Sequence, residues 1–276
     1  PMAMPAYIIA YVYTDILEFA GPLQGMLRDL FGWSSKRDYW FPEIRSLGGA
    51  IAMMTLVLYP YIYLLARAAF LEQSVGVFEA SRSLGRSPWR SFFTVALPLA
   101  RPGIVIGLSL VLMETLNDFG TVDFFAVNTF SLGIFDVWMN MNNVSGAAQL
   151  ASVMLLFVAL LIFSERYARR KQRFYTTSGK YQALPSFQLT GRLRLCATAG
   201  CLLPVLLGFV LPTLVLLGYA QQHFDPELTR EILKFALNSV KLSVLAGTIA
   251  VLVAIIMAYS ARIKGGRLLL AASRVA

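Results

Sequence analysis

The sequence predicts an all-α, polytopic transmembrane helical bundle of about six spans, with a helix-turn-helix on its cytoplasmic side. Three observations carry this. Hydrophobic residues make up 57% of the 276, outside the range of soluble globular domains. They gather in runs of about 20 residues, each long enough for a ~30 Å hydrocarbon core. Lys and Arg collect at the ends of those runs, far more on one side than on the other.

The six predicted spans are 3–20, 46–70, 101–120, 146–168, 193–220 and 236–261. Asp15 and Glu18 cut the first apolar run short. With residues 71–100 in the cytoplasm, that side receives 17 of the 24 Lys and Arg residues, including Arg82, Arg86, Arg90 and a cluster from Arg169 to Arg173. Both termini then face the cytoplasm. On the opposite side, 21–45 holds Pro22, Gly32 and Pro42 around an amphipathic Leu23–Leu30 piece, which predicts a helix lying along the membrane interface. Residues 119–145 carry Asp118, Asp123 and Asp136 at their margin or within, but also Phe124, Phe125, Phe130, Phe135 and Trp138. That is too apolar for a free aqueous loop and predicts a re-entrant or interfacial segment. The stretch 221–235 is short and polar. The stretch 169–192 is basic, then Thr176-Thr177-Ser178-Gly179 and Pro185, the composition of a cytoplasmic connector. The chain starts at Pro1 without a basic leader, so it reads as an excerpt or a processed piece.

Several function classes find no support. The net charge of +9 follows membrane topology, so nucleic acid is not an expected partner and membrane lipid is. No G-x-x-x-x-G-K-[ST] loop occurs, so the chain is not expected to hydrolyse ATP. There is no G-x-S-x-G and no H-E-x-x-H. His223 is the single histidine, and Cys196 and Cys201 fall in one apolar run. No metal centre, no cofactor and no catalytic residue are therefore assigned, and an enzyme reading has nothing to rest on.

The most informative stretch is Glu79-Ala80-Ser81-Arg82-Ser83-Leu84-Gly85, followed by Arg86-Ser87-Pro88-Trp89-Arg90 and closing at Val95-Ala96-Leu97-Pro98. It is polar and basic between very apolar flanks. It predicts two short helices hinged at Gly85, with Pro88 in the first turn of the second and Pro98 ending it. Intramembrane polarity supplies further candidates. Glu114, Asn117 and Asp118 share a helical face at i, i+3 and i+4, either as a wall of a translocation path or as interhelical hydrogen-bonding groups near water. Tyr7, Tyr11, Asp15 and Glu18 form a second stripe. Their oxygens suit a hard cation such as ferric iron, while an aromatic belt explains the tyrosines without one. Gly103 and Gly107 read as a close helix contact, and Pro60, Pro204 and Pro212 as kinks.

The Glu79 stretch resembles the E-A-A loop of permease subunits of ATP-binding-cassette (ABC) importers: E-A-A, three residues, G, nine residues, I-x-L-P. Glu79, Ala80, Gly85, Leu97 and Pro98 match, with Ser81 for Ala and Val95 for Ile. Residues 5–28 (Pro-Ala-Tyr-Ile-Ile-Ala-Tyr-Val-Tyr-Thr-Asp, then Phe-Ala-Gly-Pro-Leu-Gln) and 114–135 (Glu-Thr-Leu-Asn-Asp-Phe-Gly-Thr-Val onward) look like the ferric-iron branch of these permeases. The resemblance implies a multi-pass subunit of a bacterial inner membrane, partnered by a cytoplasmic ATPase dimer that holds ATP and Mg, and by a periplasmic substrate-binding protein. It also implies that 1–168 is the later part of a first permease half containing the coupling loop 72–98. Residues 169–192 are then a cytoplasmic linker, and 193–276 open a second half. Relatives carrying thiamine, sulfate, phosphonates or polyamines share the architecture. A stand-alone ion-coupled carrier working through Glu114 and Asp118 would leave the Glu79 loop without a task.

Overall fold

In the computed structural model of the chain, residues 2, 4–169, 189–222 and 226–263 are described. Most of the basic connector 169–192 and of the tail after Ile263 lies outside them.

Among the described residues the chain is helical, with no strand. Helix α1 (Ala6–Leu17) leads to α2 (Pro22–Phe31), which ends on Gly32 in a left-handed conformation, φ 70°. Helix α3 (Leu47–Leu71) opens on Ser46, whose hydroxyl accepts from the Gly49 N–H. The short helices α4 (Val75–Ser83) and α5 (Pro88–Ser91) follow. A π-helical turn, Phe92–Ala96, runs directly into α6 (Leu97–Asn117). Two short helices, α7 (Gly120–Phe124) and α8 (Phe130–Phe135), precede a second π turn (Asp136–Asn140) and α9 (Val144–Arg169). Then come α10 (Gly191–Val205), a third π turn (Leu206–Val210), α11 (Leu211–Gln222) and α12 (Pro226–Ile263).

Among the described residues, five helical runs are long and apolar enough to cross a membrane: Leu47–Leu71, Pro88–Asn117, Val144–Phe163, Gly191–Gln222 and Glu231–Met257. The sixth predicted span, 3–20, is not among them. Its helix α1 has 12 residues, about 18 Å of rise against a ~30 Å core. Glu18 leaves the helix in extended conformation, and the chain turns at Gly21 into α2. The last helix starts at Pro226, ten residues before the predicted edge of its span, because Pro226 suits a first turn and polar residues continue the helix beyond the apolar run.

Pro98 does not end the second short helix. A proline has no N–H, and its ring crowds the carbonyl one turn back. The preceding turn widens instead: the Leu97 N–H bonds to the Phe92 carbonyl, five residues back, and the chain passes on with Pro98 in the first turn of α6. The same device recurs at Pro212, where the Leu211 N–H bonds to the Leu206 carbonyl. There the next carbonyl in that pattern, Leu207's, would pair with the nitrogen of Pro212, which has no hydrogen. The Tyr13 hydroxyl donates to it at 2.8 Å. Pro60 and Pro204 stand inside α3 and α10.

The contacts divide the chain into two units, Pro1–Leu216 and Leu217–Ala276. The core of the first joins Ile9, Ala10 and Tyr13 of α1 to Ala50, Met53, Met54, Val57 and Leu58 of α3, with Val122, Phe125 and Leu132 from the α7–α8 region. Residues 119–135 are thus packed into the bundle, in keeping with a segment too apolar for a free loop. Helices α3 and α6 are the closest pair. A Cβ at Gly103 would lie 2.7 Å from Ala69 Cβ and 2.8 Å from the Leu65 carbonyl, and one at Gly107 would lie 2.7 Å from Ile62 Cα. The G-x-x-x-G is the contact that lets these two backbones meet. The second unit holds α12 and the end of α11, and the side chains of 231–253 on α12 are exposed.

Candidate functional site

Helices α4 and α5 form a knob at the end of α3 and α6. Local chemistry dictates the turn between them. Gly85 has φ 78°, a conformation costly for residues with a Cβ. The Arg86 N–H bonds to the Ser81 carbonyl (3.3 Å) and the Gly85 N–H to the Arg82 carbonyl (2.9 Å), the paired bonds of a Schellman C-terminus. Ser87 then caps α5 by accepting from the Arg90 N–H, with Pro88 at the first helical position.

Side chains lock the two helices together. Ser81 and Ser91 are both buried, and the Ser91 hydroxyl donates to Ser81 Oγ at 3.0 Å. Arg86 Nη1 donates to Thr94 Oγ1 at 2.7 Å, and that hydroxyl donates to the Arg90 carbonyl at 2.6 Å. Gln73 Nε2 reaches the Ala96 carbonyl at 2.9 Å, tying the entry of the knob to its exit. Phe92 stacks on Phe70 of α3, with centroids 5.9 Å apart.

The outward surface of the knob is mixed. Glu79 and Ala80 are exposed, Leu84 is 82% exposed and Trp89 75%. Leu97 and Pro98 are half-buried at the junction with α6. Pattern matching alone did not single out Ser91, Arg86, Thr94 or Gln73, which hold the knob rigid.

The polar residues predicted at the other end of the bundle do not converge on one point. Glu114 and Asn117 are exposed on the last turn of α6. Asp118 lies beyond that helix, with ψ 127°, so it leaves the i, i+4 face. Its Oδ1 accepts from the Thr121 N–H at 2.9 Å, opening α7, and its carbonyl accepts from Ser131 Oγ at 2.8 Å. Tyr11 and Asp15 are exposed on α1, Tyr11 with its ring edge-on to Phe124 at 6.1 Å. Glu18 pairs with Arg45 at 2.5 Å, and the Arg45 guanidinium lies over the Phe124 ring at 4.9 Å. Among the described residues, no three His, Cys, Asp or Glu side chains gather as a metal site.

These features define a multi-pass helical membrane protein carrying a rigid, exposed helix-turn-helix between two of its spans. Residues 1–173 match the family described as "Binding-protein-dependent transport system inner membrane component". The chain belongs to that family, the inner-membrane permeases of ABC importers. It is 35% identical over 133 residues to the Fe(3+)-transport system permease protein FbpB 2 of Haemophilus influenzae, covering 48% of this chain and 26% of that protein. It is 30% identical over 177 residues to the molybdenum transport system permease protein ModB of Escherichia coli (61% of this chain, 73% of ModB). It is 31% identical over 138 residues to the putative 2-aminoethylphosphonate transport system permease protein PhnU of Salmonella typhimurium (49% and 47%). The chain thus spans about a quarter of the iron permease's length. Each relative is by name a permease protein rather than an enzyme. No solved structure matches the chain.

Proposed function

We propose that this chain is part of the translocation subunit of an ABC importer for ferric iron, and that the α4–α5 knob couples it to a cytoplasmic ATPase dimer. The observation that carries this is the knob itself: two helices locked to each other and to α6, presenting Glu79, Leu84 and Trp89 outward. Glu79 meets a basic or N–H group of the ATPase, exposed Ala80 allows close approach, and Ser81 holds the knob from within through Ser91. Leu97 and Pro98 join the lever to α6. Closure of the ATPase on ATP and Mg tips α3 and α6 between inward- and outward-open arrangements, which requires contacts that differ between the two states. A periplasmic binding protein delivers the substrate to the opposite face. Glu114, Asn117, Asp118, Tyr11 and Asp15 are the proposed polar lining of the path.

In this reading, residues 1–168 belong to a first permease half and 193–276 open a second, joined by the basic connector. The extent of the family match, which stops at residue 173, supports the division. Ferric iron rests on the likeness of residues 5–28 and 114–135 to that branch and on the Haemophilus relative. A solute other than ferric iron, as in the molybdenum permease, is the second reading, favoured by the greater coverage of ModB.

The test is Gly85→Asp in the full-length importer. A Cβ at Gly85 meets nothing within 4 Å, so the cost of the substitution falls on the left-handed turn, φ 78°, that sets the knob and its docking surface. Transport is expected to be abolished with membrane insertion intact, and unchanged uptake would sink the lever. Competing uptake of ferric iron, molybdate, 2-aminoethylphosphonate, thiamine and sulfate then decides the solute.

A further inference from the structure

Helix α2 is inside out. Two of its three polar side chains, Gln24 and Arg28, face the protein, while Asp29 is exposed: Gln24 is 5% exposed, with Nε2 donating to the Leu17 carbonyl at 2.7 Å and Oε1 accepting from the Tyr39 hydroxyl at 2.5 Å. Arg28 also turns inward. Its Nη1 donates to the Phe19 carbonyl at 2.6 Å, and its guanidinium lies 4.1 Å from the centre of the Phe19 ring. The outward side is apolar instead: Leu23, Met26 and Leu30, at i, i+3 and i+7, are 38, 71 and 76% exposed. A surface helix in water has the reverse arrangement. An apolar medium on the outer side accounts for it, because there the backbone carbonyls at the end of α1 need side-chain donors and the apolar stripe needs none.

The adjoining loop has the composition of a membrane–water boundary. Phe31, Trp33 and Tyr39 stack in series, each pair with centroids 4.7 Å apart, and Trp40 is 86% exposed. Charge is interleaved with them: Lys36 bonds to Glu43 at 2.7 Å, both well exposed, and Asp38 accepts from the Ser34 and Ser35 N–H groups. The apolar stripe is therefore followed by a loop in which aromatic rings and water-facing ions alternate.

We propose that α2 is a float lying in the headgroup–acyl boundary of the outer leaflet, its Leu23–Met26–Leu30 stripe in lipid. Gln24 and Arg28 bolt it to the end of α1 and so fix the depth of that short helix. The occupant is the bilayer rather than a protein because the stripe belongs to a chain already embedded in one, and because it is bordered by aromatic rings. The inference does not depend on the substrate or on the coupling mechanism.

Nitroxide labels placed singly at Met26, Leu30 and Lys36, in the full chain with Cys196 and Cys201 replaced by Ser, test it in phosphatidylethanolamine–phosphatidylglycerol vesicles. Collision with oxygen is expected to exceed collision with a water-soluble nickel chelate several-fold at Met26 and Leu30, with the ratio inverted at Lys36. Nickel-dominated collisions at Met26 and Leu30 would overturn the float, and so would shielding from both reagents, which marks a protein on the stripe. A variant with Trp40 as the single tryptophan gives the same readout without labelling the helix. Brominated lipid is expected to quench it strongly, and unquenched emission counts against the proposal.

Discussion

The two ends of the α3–α6 pair solve opposite problems. At the knob end, side-chain pairs tie one helix to another, Ser91 to Ser81 and Arg86 to Thr94, beside bonds from Gln73 and Thr94 to the Ala96 and Arg90 carbonyls, with apolar Leu84 and Trp89 left on the surface. At the other end, side chains from one element reach the backbone carbonyls at the end of another: Gln24 to Leu17, Arg28 to Phe19, Ser131 to Asp118, Tyr13 to Leu207. Water can satisfy carbonyls at an aqueous knob, so polar side chains there are free to fix one helix against another. Near the hydrocarbon, helix ends have no such solvent, and polar side chains stand in for it. A polar residue therefore means stiffness in one region and capping in the other.

The strongest way to break this contrast is to separate the two helices that carry both ends. Gly107→Val would place a Cβ 2.7 Å from the Ile62 backbone, and overpacking of this kind costs roughly 1–3 kcal/mol or more. A large fall in thermal stability in detergent is expected, and a neutral result would mean that the α3–α6 contact is wrong. Tyr13→Phe removes the donor to Leu207 and should cost about 0.6–1.7 kcal/mol, the range of interhelical hydrogen bonds in membranes. Its stability deficit should be larger than that of Tyr7→Phe, whose side chain is exposed. Ser81→Ala, which restores the residue of the family pattern, leaves the Ser91 hydroxyl without this partner at a cost of about 0.5–1.5 kcal/mol. The double change Ser81→Ala with Ser91→Ala should recover part of it, and strict additivity of the two single effects would show the pair to be uncoupled.

The smallest effect is electrostatic. Hydrogen bonds from the Ser35 and Ser34 N–H groups hold the Asp38 carboxyl below its ordinary value. The contribution is present above the usual carboxylate range and is lost as pH falls through the depressed value. The protection factors of the Ser34 and Ser35 amides, taken relative to their intrinsic exchange at each pH, should fall on acidification over that interval, and a pH-independent protection factor would remove the carboxylate from the turn. The Lys36–Glu43 pair behaves alike at its acid limit. The hydrogen bond from Lys36 lowers Glu43, and the same bond raises Lys36.

The spans were legible because long apolar runs admit few alternatives, and the knob because Gly85, Ser87 and Pro88 punctuate the chain in a way that has a backbone meaning. Two errors have physical causes. The first apolar stretch was taken as a span from its composition, but its helix has 12 residues and the chain leaves it at Glu18, ahead of α2. Pro98 was taken as a stop, since the rule for residues before proline ignores the option of widening the preceding turn. The hydrogen bond from Tyr13 to a carbonyl 194 positions away leaves no local pattern at all. Nor does Asp118 as a cap: its spacing from Glu114 fits a helical face, and only the end of α6 at Asn117 breaks it.

The widened turn at Phe92–Ala96 acts as a phase setter. One residue more or less in a helix rotates everything beyond it by about 100°. Deleting a single residue there, with the turn closing to ordinary helix, would swing Trp89 and Leu84 to another azimuth around the axis of α6 while leaving both helices otherwise unchanged. The nine-residue interval between Gly85 and Val95 thus works as an angle as well as a length: it aims the knob.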